Sequence, residues 1–327
     1  MESIRLSLGP FQGITDAPFR NVFKKHFGGI DKFYTPFFTG IQKEHAKNLQ
    51  VEEIDPRFND VETLTPQILS TDAEEILRFA SQCKELGYKE INLNVGCPFP
   101  RVANKKRGCG LLPYPEKIEE LLERVFERID VKFSVKCRLG YFDPDEIVPV
   151  IDIFNQYPLS ELIIHPRIGK QLYKGEADVK RFAELMPMIK APLVYNGDIV
   201  SVESFERIRE QVQPVNAFML GRGLLANPFL AETCRDVSNA SSKNADTDDV
   251  SQKKTKRLYN YVVDLYEDRL RHAGGSPKVL GRMKELWSYL MYSFDEPQDI
   301  WRKIKKINAL KEYEETVDTV FREHTLI

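Results

Sequence analysis

The sequence predicts an α/β protein, a (β/α)8 TIM barrel followed by a small C-terminal helical bundle. Three observations carry this reading. Short apolar strand candidates alternate with amphipathic helix candidates through residues 4–220, eight strands in all. Polar side chains stand at nearly every strand end. From residue 257 onward the pattern is helical throughout. Strands alternating with helices mark a parallel sheet. A doubly wound sheet has fewer repeats and a Gly-rich phosphate loop after its first strand. This chain has neither G-x-G-x-x-G nor a P-loop, so the barrel fits better.

In chain order the strands are predicted at 4–10, 32–38, 63–69, 90–96, 132–138, 161–165, 192–196 and 216–220. The clearest helix between them is "TDAEEILRFASQCKELG", with Thr71 or Asp72 as N-cap and Gly87 as terminator. Its Ile76, Phe79, Ala80 and Cys83 recur at i, i+3, i+4 and i+7, which makes Cys83 a core residue. "PEKIEELLERVFERI" repeats the pattern with a proline at its start. Residues 236–256 are polar and nearly free of large apolar groups, the composition of a linker. Three helical stretches follow, broken at Gly274-Gly275 and Pro297, with Trp287 and Trp301 read as core. The expected division is a catalytic barrel at 1–240 and a linker plus helical domain at 241–327.

Composition narrows the class. No apolar run approaches the roughly 18 residues that span a membrane, and the N-terminus is too short in apolar residues for a secretory signal. A cytoplasmic protein is predicted, with no membrane partner. Five cysteines, an odd number with no C-x-x-C, exclude a disulfide framework and a structural zinc site, and no metal is expected. The net charge of −2 hides an asymmetry: residues 252–311 carry 14 Lys+Arg against 7 Asp+Glu. A basic segment on an otherwise acidic chain fits a polyanion partner or a solvated helix face.

Barrel chemistry sits at the C-terminal ends of the strands. There the chain places Pro10, Phe11, Gln12 and Gly13, then Gln67, then Asn94 and Cys97, then Lys136 and Arg138. His165 and Arg167, Asn196-Gly197-Asp198 and Gly221-Arg222-Gly223 complete the rim. Glycines after the last two strands suit phosphate, and Arg222 can clamp it. Gln67 and Asn196 offer donor–acceptor pairs to a heterocycle edge, and Lys136 offers a cation to a reduced ring. A phosphate, a heterocycle and a cation together suggest flavin mononucleotide (FMN), although a sugar phosphate uses many of the same groups. Cys97 lies between Gly96 and Pro98 where the strand "INLNV" stops. A thiol there can be a buried structural residue, a nucleophile, a metal ligand or a general acid. At an ordinary pKa of about 8.5 it is mostly protonated near neutrality, which favours proton delivery opposite a flavin.

These residues resemble the tRNA-dihydrouridine synthase (Dus) family over nearly the whole chain. The strongest element is "NLNVGCP" followed by "RVANKKRGCG". "GPFQGITDAPFR", "SVKCRLG", "IIHPR", "QLYKGEAD", "YNGDI" and "LGRGLLANP" occur in the family's order. The resemblance implies NAD(P)H-dependent reduction of tRNA uridines to 5,6-dihydrouridine, with hydride passing to uracil C6 and Cys97 protonating C5. It implies FMN contacts at Pro10, Phe11, Gln12, Gln67, Lys136, His165, Asn196, Gly197, Asp198, Gly221 and Arg222. Asn94 would hold the uracil edge, and Arg167 and Lys174 would lie near the RNA. The bundle, through Lys303, Lys305 and Lys306, would grip tRNA, helped by Lys105, Lys106 and Arg107. Three positions depart from the family's pattern: Phe11 replaces its usual Met, Pro166 its usual small residue, and Lys105-Lys106-Arg107 makes the loop after the cysteine unusually basic. Two rivals are a dihydroorotate dehydrogenase-like reductase of small pyrimidines and a non-catalytic tRNA-binding protein. The basic helices argue against the first, and the intact rim argues against the second.

Overall fold

A computed structural model describes residues 4–41, 51–238, 248–272 and 275–327. Its parallel strands are β1 Arg5–Leu8, β2 Lys32–Tyr34, β3 Leu64–Thr65, β4 Gln67–Ile68, β5 Glu90–Val95, β6 Lys132–Gly140, β7 Leu162–Ile168, β8 Leu193–Asn196 and β9 Ala217–Leu220. They form one sheet in the order β3-β2-β1-β9-β8-β7-β6-β5-β4. β3 and β4 are a single strand interrupted at Pro66, which has no N–H to continue the ladder. The Pro66 carbonyl still accepts from the Asn92 N–H at 2.9 Å. The Gln67 N–H, which leaves the ladder there, is taken by Thr35 Oγ1 at 2.9 Å. Residues 64–68 therefore pair with β2 on one side and β5 on the other, and the eight-stranded ring closes.

The barrel is filled in layers, as its small diameter requires. Near the N-terminal ends of the strands, Glu161 takes an ion pair from Arg5, another from Lys32 at 3.1 Å and the Tyr34 hydroxyl at 2.8 Å. These partners hold its carboxyl below the usual range although burial pushes the other way. An apolar layer of Tyr34, Ile163, Val194, Ala217 and Met219 fills the interior. The polar residues discussed below face inward from the strands' C-terminal halves.

By packing, the chain forms two compact units. The first comprises Met1–Pro10, Ile30–Ile199 and Glu203–Gly221, and holds every strand. The second comprises Phe11–Gly29, Val200–Val202 and Arg222–Ile327, and is helical. In the second unit the helix Ala17–His26 packs on Asp248–His272: Phe19, Phe23 and Phe27 surround the Tyr261 ring, and Arg269 reaches Asp16 at 2.9 Å. Sequence order alone does not show that the chain's first helix joins its last ones. Trp287 is buried, and its Nε1–H donates to the Tyr313 hydroxyl at 3.0 Å.

Two sequence expectations change. The linker predicted at 236–256 is helical on both flanks, in Leu230–Ser238 and Asp248–His272. Polar helix is sustained there by local pairs such as Lys253–Asp249 at i, i+4. Residues 239–247, with the expected division at 240, lie outside the described residues, as does Gly274. The stretch 297–324, predicted as one helix, divides into Pro297–Ile304 and Leu310–Glu323. Glu312 turns back to the new start and accepts the Asn308 N–H, one residue before the N-cap Ala309, at 3.0 Å. Among the described residues no helix is long and apolar enough to cross a membrane.

Candidate active site

Alternate side chains of a strand share a face. Ile163 and Val194 lie in the interior apolar layer, so His165 and Arg167 on β7 and Asn196 on β8 face inward too. On β5 and β6, Asn92 and Ser134 are buried register partners bonded to each other, and Asn94 pairs in register with Lys136. Parity adds Arg138, opposite His165.

Cys97 follows β5 in a turn made by its own strand. Asn94 Oδ1 accepts from the Gly96 N–H at 3.0 Å and the Cys97 N–H at 2.9 Å. The loop after the cysteine folds back, and the Cys109 N–H donates to the Cys97 carbonyl at 3.2 Å. Gly108, at φ +55°, makes this approach possible. A Cβ there would lie 2.6 Å from the Cys97 carbonyl oxygen and 2.9 Å from Cys97 Cβ. Cys97 is 7% exposed. Burial pushes its thiol above the ordinary value, opposed by the Phe99 N–H and by Arg101, Arg138 and Lys136. The thiol therefore keeps its proton at neutral pH. Cys109 and Cys137 are buried as well and pushed up to about 12. Cys83 is buried in its helix, the place its spacing predicts.

A chain of side-chain hydrogen bonds runs behind the turn. Asn94 Nδ2 donates to Gln67 Oε1 at 2.8 Å, and Gln67 Nε2 donates to Asn92 Oδ1 at 2.8 Å. Asn92 Nδ2 donates to Ser134 Oγ at 2.9 Å, and Ser134 Oγ donates to the Ile91 carbonyl at 3.3 Å.

Lys136 is half-buried and has no hydrogen bond or ion pair among the described residues. Burial, reinforced by Arg138, lowers its ammonium to about 8. It is still mostly cationic at neutral pH. An unpaired cation in a barrel interior is costly unless negative charge comes to it. Arg138 itself donates to the Ile168 carbonyl at 2.9 Å and lies 5.3 Å from the Tyr173 ring centroid.

Arg167 is 1% exposed. It holds Asp198 through two bonds of 2.9 and 2.6 Å and the Gly175 carbonyl at 2.6 Å. Its Nη1 also lies 2.9 Å from His165 Nε2. A guanidinium can only donate, so Nε2 is the acceptor and His165 carries its ring proton on Nδ1. Asp198 Oδ2 also accepts the Ala177 N–H at 2.7 Å, which ties the loop after β7 to the loop after β8. Asn196 Nδ2 donates to the Met219 carbonyl at 2.9 Å.

Pro10, Gln67, Asn94, Cys97, Lys136, His165, Arg167, Asn196, Gly197, Asp198 and Gly221 thus all belong to the C-terminal half of one barrel. Several differ in setting from expectation. Gln67 is fully enclosed and bonded on both sides, which leaves its edge closed. Arg167 is an internal ion-pair residue and presents no surface to RNA, because its charge is spent on Asp198. Lys174, Lys105 and Lys106 are exposed and Arg107 is half-buried. Lys105 and Lys106 line a surface groove with Lys117 and Arg124. Phe11, Gln12 and Arg222 belong to the second unit, and their part in cofactor binding is a sequence expectation. Sequence reasoning did not single out Asn92, Ser134 or Gly108. The signal for the first two was their parity with Asn94 and Lys136.

The model of the dihydrouridine synthase family, Dus, matches residues 7–324. tRNA-dihydrouridine synthase B of Pasteurella multocida (strain Pm70) is 30% identical over 227 residues, 69% of this chain and 67% of that protein. tRNA-dihydrouridine(16) synthase of Neisseria meningitidis serogroup B is 24% identical over 333 residues, 97% of each. Among solved structures, a variant of NCR from Zymomonas mobilis aligns with TM-score 0.46 and 14% identity over 76% of this chain and 94% of its own, a likeness too low to carry an argument.

Proposed function

The chain belongs to the dihydrouridine synthase family, and from that premise we propose that it reduces uridine in tRNA to 5,6-dihydrouridine. FMN would bind at the C-terminal end of the barrel, and NADPH (or NADH) would donate the electrons. The observation that carries the reading is the Cys97 turn: a buried, protonated thiol held at a strand mouth by Asn94. A flavin bound there would supply hydride chemistry, with electrons from NADPH (or NADH) and uracil C6 as the acceptor. Cys97 gives its Sγ proton to C5, completing the addition of two hydrogens across the C5=C6 bond, and regains a proton from solvent.

The flavin fits the residues present on one point of charge. Lys136 is a half-buried cation with no anionic partner among the described residues, and an FMN brings negative charge. His165, Pro10, Asn196, Gly197 and Gly221 lie at the same strand ends. Arg167 acts through His165 and Asp198. Asn94 meets the uracil edge, and the exposed Lys105, Lys106 and Lys174 suit the RNA backbone.

The test is direct. Purified protein, NADPH and an unmodified tRNA transcript should yield dihydrouridine, read by mass as a uridine gaining two hydrogens. A yellow protein that oxidises NADPH with a free pyrimidine yet leaves tRNA unchanged would overturn the reading.

A further inference from the structure

The hydrogen-bond chain from Ser134 to the Cys97 turn has a fixed direction. At one end stands the Ile91 carbonyl, which can only accept. At the other stand the Gly96 and Cys97 N–H groups, which can only donate. Between these anchors each amide has a single orientation that satisfies all the bonds. Asn94 Oδ1 receives two N–H donors, which fills its lone pairs. One Nδ2 hydrogen of Asn94 goes to Gln67. What remains on this half-exposed side chain is one N–H. Ser134, Asn92 and Gln67 are fully buried, so Ser134 and Asn92 reach the site only by way of this chain.

A base set against that N–H must present an acceptor. Uracil presents carbonyl oxygens at C2 and C4. Cytosine replaces the C4 carbonyl with an amino group, a donor. We propose that, with the Gly96 and Cys97 N–H groups fixing Asn94 as a donor, Ser134 and Asn92 are positioning residues that hold this N–H aimed, by way of Gln67, at the C4 substituent of the base, where its polarity selects uridine over cytidine. The proposal rests on the uridine-reducing function above. Donor opposed to donor leaves two polar groups unpaired in a closed site, and such mismatches discriminate more strongly than lost apolar contact.

The experiment uses the flavin-loaded protein, reduced with NADPH and then mixed without oxygen with one of two tRNA transcripts. They differ only in carrying uridine or cytidine at the target position. Flavin reoxidation gives the rate for each. Ser134→Ala should slow the uridine step about tenfold, the worth of one hydrogen bond, and narrow the uridine-to-cytidine ratio by at least as much. Ser134→Thr, which keeps the hydroxyl, should restore both. Reduction of the flavin by NADPH should not change. A slower uridine step with an unaltered ratio would overturn the proposal, because a purely structural serine would behave that way. If Ser134→Ala does not fold, hydrogen exchange of the Asn94 side-chain amide in the wild type decides. One proton slow and one fast supports the locked donor, and two equally fast protons overturn it. A wild type inert toward uridine in tRNA would instead remove the functional reading, and the exchange measurement would still test the polarity.

Discussion

Burial acts in opposite senses on Cys97 and Lys136. It keeps the proton on the thiol and loosens the proton on the ammonium. A general acid is active while protonated, so the thiol's raised pKa sets the pH at which activity ends. With flavin kept saturating, uridine reduction should hold through the ordinary thiol range near pH 8.5 and fall only above it. Cys97→Ala should lose about 10²–10⁴-fold in uridine reduction while keeping its flavin and its NADPH oxidation. Single-turnover rates across a pH series check both, and wild-type turnover in the alanine variant would sink the assignment. For Lys136 the sign is reversed. Its charge is present below about 8 and lost above, so flavin affinity should be flat at lower pH and decline as pH rises through that value. Lys136→Arg should abolish the decline, and Lys136→Ala should purify depleted of flavin. Flavin fluorescence titrations measure all three. Cys97, Asn94 and Lys136 were legible because a reactive or charged residue at a strand mouth interrupts an apolar pattern. Asn92 and Ser134 were not. A polar residue inside a strand reads as a solvent face until closure of the ring turns that face inward.

The loop after Cys97 is the element on which the site's geometry depends. Gly108 lies against the Cys97 backbone and Gly110 against Ala103, where an added Cβ would lie 2.1 Å from the Ala103 carbonyl oxygen. Gly108→Ala meets both a positive φ and a backbone contact. It should cost about 1–3 kcal/mol of stability and displace the thiol. The expected result is a lower midpoint in denaturant and at least a tenfold loss of uridine reduction, with flavin content unchanged. A variant as stable and active as wild type would show that the loop adapts. Strand positions were readable to within one or two residues, save that β2 stops at Tyr34, four residues short of its predicted end, and β7 runs on three residues further, because apolar alternation and flanking turn residues mark strands sharply. Pro66 lay in plain view, and its break in the ladder follows from the missing N–H. The helix over 248–256 was hidden because its support is charge pairing along a polar face, which resembles linker composition. The break near Asn308 was hidden because no Gly or Pro announces it; the turn is held by Glu312, four residues on, which accepts the Asn308 N–H.

At the scale of the whole molecule the question is what holds the RNA. A uridine inside folded tRNA must be unstacked before it can enter a barrel, at a cost of a few kcal/mol that contacts elsewhere must offset. The basic stretch 252–311 is one source of such contacts. The groove lined by Lys105, Lys106, Lys117 and Arg124 is another. The structure separates the lysines of the bundle. Lys303 pairs with Asp299 at 2.9 Å and is half-buried, so much of its charge is already answered. Lys305 and Lys306 are exposed just past the end of Pro297–Ile304. Each phosphate contact contributes close to 0.7–0.9 to the slope of log affinity against log salt. Replacing Lys305 and Lys306 by alanine together should therefore weaken tRNA binding at low salt and reduce that slope by about 1.4–1.8. Lys303→Ala alone should change the slope by less than either of them. NADPH oxidation without RNA should be the same in all variants. The measurement is tRNA affinity across a salt series. Superimposable lines for wild type and the double variant would mean that these lysines are a solvated helix end, and that the RNA is held by the groove beside the Cys97 loop.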